Sequence, residues 1–598
     1  MRRNVLAILT IILLVPSVVV ARTATFGSNW ATAAPTTYNE FTVAQLQAEM
    51  AGGRLTSVQL TQFYLDRIAA LDQAGPNVNS VIELNPDALK LARTADNRRA
   101  QGKVIGPLDG IPVLLKDNID TGDKMQTTAG SFALAGKPAV DDSTVAANLR
   151  AAGAVILGKT NLSEWANFRS FFSTSGWSGR GGLTHNPYST DRNACGSSSG
   201  SAAAAGANFA AISVGTETDG SIVCPANVSA VVGIKPTVGV TSRAGVVPIS
   251  HTQDSIGSHA RTVADAAALL NALASRTPDP RDAATSGVPL GWQGTGKTRP
   301  ALPADYTAFV NADGLRGARV GVTRQGIDNA PPQVVAAFDN AIATIRSAGA
   351  TVVDLDGAGF TFASADGEFL VLVYDFKIDL QEYFATRVGV PMANKTLADA
   401  IAFNTAHAST EMPYFFQEIF ELAQAMDTSG PDPANNPQAP FGGLTYNQAL
   451  AIDHNAGANG IDAALSQFHL DAVVAPTDSP AWTLRLRELR PRRRPRLPDR
   501  PGPSGERPWD ADGDQLPRHR VQRADAHQAR LGFRGEDPRA NATDVHRQHH
   551  DPEHERHDAA AAQAAEERDR CASASHLVAG PTHEKGRTRV LPFFLAAD

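Results

Sequence analysis

The chain has 598 residues, far above the minimum for a well-buried core and long enough for several folded units. A formal net charge of -7 gives no global reason to expect a nucleic acid or an anionic membrane as partner. Three cysteines cannot build a disulfide framework.

At the N-terminus, Arg2 and Arg3 precede an apolar run from Val5 to Val20, and Val19-Val20-Ala21 offers small residues where a signal peptidase reads. The run is short for a membrane span of roughly 20 residues, and a polar stretch follows. Residues 1–24 therefore read as a cleaved secretory signal peptide, with a retained anchor or a buried helix as the competing reading. The mature protein is expected to be exported, periplasmic or secreted, with no stable membrane insertion.

Residues 25–482 read as the folded domain, and from Phe41 to about Trp482 the pattern is that of one α/β unit. Leu46, Met50, Val58, Leu60, Phe63, Tyr64, Ile68 and Leu71 recur at helical spacing over Phe41–Asp72, and Thr42 is placed to cap the start. Ile111–Leu115 and Ala154–Leu157 are short apolar runs bounded by Gly and Pro, as buried strands are. Ser201–Ala211 is rich in small residues and predicts a helix packed closely on a sheet, and Val263–Leu273 predicts an amphipathic helix. Residues 280–305 read as a surface excursion, and 330–470 as a more helical cap or flanking layer. The alternation without long repeats favours a layered α/β/α domain. Cys195 and Cys224 could pair; the reading favours two free, partly buried thiols.

After Trp482 the composition changes abruptly. Arg becomes frequent while Lys occurs only at Lys585, and most of the histidines lie here. The arginines of 491–496 lack interleaved aromatics, and His549, His550, His554 and His557 lack the carboxylate or cysteine spacing of a metal site. Arg without Lys is what a GC-rich gene gives when read out of frame. Residues 483–598 are therefore expected to be a frameshifted tail, with a genuine disordered appendage as the alternative.

Three segments carry chemistry. Pro107-Leu-Asp-Gly-Ile-Pro-Val-Leu-Leu-Lys116-Asp117-Asn118 delivers a lysine at the end of an apolar strand. Cys195-Gly196-Ser197-Ser198-Ser199-Gly200-Ser201 is a Gly/Ser-rich loop running into a small-residue helix, which aims backbone N–H groups and hydroxyls at one point. Thr218-Asp219-Gly220-Ser221 is a tight turn able to present a hydroxyl beside several N–H donors. Each segment alone reads more readily as ordinary structure: a solvated lysine, a linker, a β-turn. Gly153-Ala-Val-Ile-Leu-Gly158-Lys159-Thr160 matches the phosphate-loop pattern, but its intervening residues are a β-forming run and read as a strand.

Together the three segments resemble the amidase signature family. Ser221 lies 24 residues after Ser197, and further matches run through Gly233-Ile-Lys235-Pro236-Thr237, Gly245–Pro248, Asp254, Gly257 and Arg261–Asp265 to Leu470–Thr477, which looks like a late core strand. Asp219-Gly220-Ser221 followed by Ile-Val-Cys-Pro, with Asn161–Asn167 and Gly176–Gly182, is most similar to bacterial peptide amidases. Val223 replaces an arginine common in the family, which with the export signal argues against the role of tRNA-dependent transamidation.

The resemblance implies a layered α/β/α fold with a central mixed β-sheet and an enzyme that hydrolyses carboxamides to carboxylate and ammonia. It implies a nucleophile Ser221, a bridging Ser197 after a cis peptide bond from Gly196, a base Lys116, and oxyanion donors at Thr218, Asp219, Gly220 and Ser221. No metal or organic cofactor is required, the partner is a small or peptide amide, and no nucleic acid is expected. No Ser–His–Asp arrangement is apparent before residue 483, so the lysine must serve as base, with its pKa brought down from about 10.4 by burial. The competing class is an inactive or unstable, truncated amidase-like protein.

Overall fold

The computed structural model describes residues 37–484, apart from 289–297, 300, 326, 328–329, 361 and 363–366. The expected signal peptide and nearly all of the Arg-rich tail, with its basic run, its histidines and Cys571, lie outside the described residues. No helix among the described residues is long and apolar enough to cross a membrane.

The strands, in chain order, are β1 (Val81–Leu84), β2 (Pro112–Lys116), β3 (Val155–Thr160), β4 (Trp177–Ser178), β5 (Gly182–Leu183), β6 (Ile212–Glu217), β7 (Val232–Ile234), β8 (Ser255–Ala260), β9 (Arg319–Val322), β10 (Thr351–Asp354) and β11 (Ala472–Val474). The central sheet has the order β1-β3-β2-β6-β8-β7. Strands β3, β2 and β6 run parallel, while β1, β7 and β8 pair antiparallel to their neighbours. The sheet is mixed, as expected, and its inner strands are buried along their whole length, which is why β2 and β3 carry short apolar runs, whereas β6, Ile-Ser-Val-Gly-Thr-Glu, gives no such run. Gly153–Thr160 contributes strand β3, not a loop, and Lys159 Nζ is spent on Ile119 O, Gln126 O and Thr127 Oγ1 at 2.7, 3.0 and 2.9 Å.

The helical pattern over Phe41–Asp72 is two α-helices, Val43–Ala51 and Ser57–Arg67, followed by a wider turn over Ile68–Asp72. Gly53 at φ 69° breaks the run, a conformation that glycine adopts at little cost. Thr42 caps the first helix as expected and Thr56 caps the second, each through a capping box. The small-residue helix runs over Ser199–Gly206, earlier than expected, because Asn208 turns to φ 57° and the chain goes directly into β6. Val263–Leu273 is the expected helix.

Residues 280–305 are not wholly a surface excursion. Asp282, Ala284 and Thr285 are buried, and the Asp282 carboxylate receives Arg243 N and Nε at 2.7 and 2.9 Å. The flanking layer after residue 330 is helical, with its longest helix, Glu368–Thr386, buried through Leu370–Phe376. Its β10 belongs to a separate three-stranded sheet, β10-β9-β11, with β9 drawn from before the layer and β11 from its end. The late strand at Ala472–Val474 belongs to that sheet, parallel to β9, and not to the central one.

Candidate active site

The site forms at the C-terminal ends of the parallel strands β2 and β6, where the strands stop and their backbone groups open toward one crevice. β2 ends at Lys116, which Val113, Leu114 and Leu115 escort into the core, all three fully buried. Lys116 is itself fully buried, and its Nζ lies 2.7 Å from Ser197 Oγ, 2.9 Å from Thr216 Oγ1 and 3.2 Å from Thr216 O. Burial pushes the ammonium down to about 7, against the opposing charges of Asp254 and Glu217. A neutral amine has two N–H groups and one lone pair, which matches two acceptors on Thr216 and one hydroxyl on Ser197.

Ser197 sits just before the Ser199–Gly206 helix, and the Gly196–Ser197 peptide is cis, as the resemblance implied. Its Oγ is 2.9 Å from Ser221 Oγ. Lysine, bridging serine and turn serine thus form one unbroken hydrogen-bonded chain. Ser198 fixes the bridging segment to both neighbours: its N–H donates to Ser221 O at 3.0 Å, and its Oγ donates to Thr216 O at 2.9 Å.

Ser221 follows β6 on the turn Thr218–Gly220, where Gly220 takes φ 70°. Glu217 holds the far side of that turn: its Oε2 accepts from Ile222 N at 2.6 Å and Val223 N at 2.9 Å. Thr218 Oγ1 donates to Asp254 Oδ1 at 2.5 Å, and Asp254 Oδ2 accepts from the N–H groups of Ile249 and Ser250. Among the described residues no group accepts from the amides of Thr218, Asp219, Gly220 or Ser221. The Asp219 side chain is exposed on the turn. A narrow cleft opens here, lined by Asn118, Ser197, Ser221, Val247, Ile249 and Asp254.

Three features escaped the sequence. Thr216 and Glu217, which receive the lysine and brace the turn, occupy β6 as ordinary strand residues. His251 does have a carboxylate context, with Nδ1 2.9 Å from Asp379 Oδ1 and 3.7 Å from Asp375 Oδ1. Burial lowers its affinity for protons, but the two aspartates outweigh this and lift it to about 9. Ser250 Oγ donates to Asp375 and not to the imidazole, so the group is not a serine–histidine relay. His259, the histidine on β8, bonds Ile222 O at 3.1 Å, and burial takes it down to about 4.

The third is a correction. Cys195 and Cys224 are not free thiols but a disulfide, with Cα atoms 6.0 Å apart. Their separation of 29 residues gave no sign of the pairing; only the fold of the loop against the Val223–Val228 helix brings them together.

The sequence profile of the Amidase family matches residues 59–490. In three dimensions the chain is similar to native peptide amidase from Stenotrophomonas maltophilia, at 48% identity and a TM-score of 0.66, covering 75% of this chain and 86% of that one. It is also similar to an amidase family protein from Bacillus anthracis, at 34% identity and a TM-score of 0.64, covering 74% of this chain and 81% of that one. In sequence it is 41% identical over 444 residues to a probable amidase of Arabidopsis thaliana, covering 73% of this chain and 79% of the other.

Proposed function

The chain belongs to the Amidase family and is an amide-hydrolysing enzyme; we propose that Ser221, Ser197 and Lys116 are its catalytic triad and that the Thr218–Ser221 amides hold the oxyanion. The observation that carries this reading is the chain of Ser221 Oγ, Ser197 Oγ and Lys116 Nζ at 2.9 and 2.7 Å, ending on a buried lysine whose pKa is brought to about 7. A base poised near neutrality accepts a proton and returns it within one turnover.

In the acylation step Ser221 Oγ bonds to the carbonyl carbon, its proton passes to Ser197, and the proton of Ser197 passes to Lys116. The carbonyl oxygen becomes an oxyanion facing the uncommitted turn amides. When the C–N bond breaks, the proton returns from Lys116 through Ser197 to the departing nitrogen, which leaves as ammonia. Water then attacks the Ser221 ester by the same relay and releases the carboxylate. Lys116, Ser197 and Ser221 need no metal or organic cofactor for these steps.

The substrate class we assign is C-terminal or small carboxamides, in preference to internal peptide bonds. The 48% identity to a peptide amidase and the Asp219-Gly220-Ser221 turn support it. Incubation with a C-terminally amidated peptide and with its unmodified form, followed by mass spectrometry, tests it. Deamidation of the first with no cleavage of the second is expected; internal cleavage of the unmodified peptide contradicts it. Export is part of the same proposal. Arg2, Arg3 and the Val5–Val20 run support it, and so does the Cys195–Cys224 bridge, since structural disulfides persist in oxidising compartments. A mature N-terminus beyond Ala21 on protein recovered outside the cytoplasm is the expected result; recovery of the unprocessed chain inside the cell contradicts it.

A further inference from the structure

The disulfide joins the two segments that carry the serines of the relay. Cys195 stands two residues before Ser197, and Cys224 stands three residues after Ser221. Both cysteines are nearly buried, at 5% and 6% exposure. Each is also locked into its own segment. Cys195, at φ 51°, donates its N–H to Asn193 Oδ1 at 2.7 Å and accepts from Ser199 Oγ at 2.5 Å. Cys224 donates its N–H to Gly220 O at 2.9 Å, a carbonyl of the nucleophile's turn. A shift of Cys195 therefore moves Gly196 and Ser197, and a shift of Cys224 moves Gly220 and Ser221.

Next to the two serines the segments are otherwise joined by hydrogen bonds alone, Ser198 N to Ser221 O and Ser197 Oγ to Ser221 Oγ, while Ser198 bonds Thr216 and the helices that follow pack through Ala202, Ala205 and Ala226. Proton transfer requires that both hydroxyls and the lysine stay within hydrogen-bond distance, and an error of about 1 Å in such a relay costs on the order of 100-fold. We infer that Cys195–Cys224 is a positioning crosslink for the catalytic serines, and that the enzyme reaches its full rate only with the bridge formed. The inference rests on the triad reading above. Forming the bridge takes two protons and two electrons from the two thiols; a small external disulfide accepts them and leaves as two thiols.

The test uses the full chain purified without reductant. Thiol titration in denaturant is expected to find Cys195 and Cys224 unreactive until dithiothreitol is added, which takes up the bridge's oxidation as its own cyclic disulfide. kcat and KM for a simple carboxamide, and the rate of covalent labelling of Ser221 by a fluorophosphonate, are then compared at a temperature well below the melting of both forms. Reduction is expected to lower kcat and labelling about 10- to 100-fold with little change in KM and no change in the pH at which activity appears. Oxidised glutathione is expected to restore the rate. A Cys195→Ser/Cys224→Ser variant is expected to show the lower rate with or without dithiothreitol.

A folded reduced enzyme with the oxidised kcat and only a lower melting temperature overturns the inference. So does loss of fold, not of rate, in both the reduced protein and the double variant, since the bridge is then a stability staple. Free thiols at Cys195 and Cys224 in fully active protein, told apart from Cys571 by peptide mapping, overturn it as well. Oxidised protein that labels at Ser221 yet releases no ammonia counts against the carboxamide reading alone, and the labelling rate still decides the role of the bridge.

Discussion

Lys116 shows how far single residues could be read before the fold was known. Alone it reads as a solvated lysine at a strand end; only beside the two serine segments does its place after three apolar residues point to burial, which is the cause of its lowered pKa. Ser197 and Ser221 were singled out only by the resemblance of the three segments taken together, and the structure brings their Oγ atoms to 2.9 Å. Thr216 was not singled out, because its role is geometric: it faces Lys116 only once β2 and β6 lie side by side, paired through Leu115 and Val214. The pH dependence follows from the same residue. Only the neutral amine takes the proton of Ser197, and Lys116 is protonated below its pKa, so activity falls as pH drops through about 7. A kcat/KM profile measured from pH 5 to 9 is expected to rise through that value and level off, falling roughly tenfold per pH unit on the acid side. A limb near the pKa of an exposed lysine, or a flat profile, contradicts the assignment.

At the scale of elements, composition was most informative where packing leaves no room for choice. Ser199–Gly206 is built of Ser, Ala and Gly because it lies directly on the sheet: Ser201 Oγ reaches Val214 O at 2.9 Å and Thr160 Oγ1 at 2.7 Å. Its start is tightest at Gly200, whose N–H donates to Asn161 O. A Cβ there would stand 2.5 Å from Asn161 O and closer still to Ser80 O, both fixed backbone groups. Gly200→Ala is therefore expected to destabilise the fold by about 1–3 kcal/mol or more and to displace Ser197, read as a lower midpoint in urea with reduced kcat. An unchanged midpoint contradicts this close approach. Boundaries were less legible. Gly53 and Asn208 end helices by taking left-handed backbone, whereas side-chain periodicity continues through both. The disulfide was invisible for a related reason, since which cysteines meet depends on the topology of the loop.

For the whole molecule, the α/β class and the central mixed sheet were legible, because the buried parallel strands β2 and β3 leave short apolar runs. The second sheet was not, since β9, β10 and β11 are short and come together from positions as distant as Arg319 and Val474. The chain remains docked past that sheet, with Ser479 O accepting from Asn227 Nδ2 at 3.1 Å, Trp482 O from Asn193 N at 2.9 Å, and Leu484 N donating to Asp191 O at 2.9 Å. Among the described residues β11 pairs with β9 alone, and an open strand edge is a template for association. We propose that the Arg-rich residues beyond this point are out of frame, since their sequence lacks the apolar periodicity of a further strand. The chain as written is expected to give less soluble protein and less ammonia release than one whose gene is read in another frame past codon 482. Equal yield, cooperative melting and full activity of the written chain contradict the frameshift and make the tail a natural appendage.

The central claim is that Ser221 is the nucleophile of a lysine-driven relay. It is tested most directly by the rate of ammonia release from a simple carboxamide, measured on soluble, folded Ser221→Ala beside the wild type. No release above the uncatalysed rate is expected from Ser221→Ala, with losses of several orders of magnitude for Ser197→Ala and Lys116→Ala, because the three groups act as one unit. Substantial hydrolysis by Ser221→Ala would contradict it.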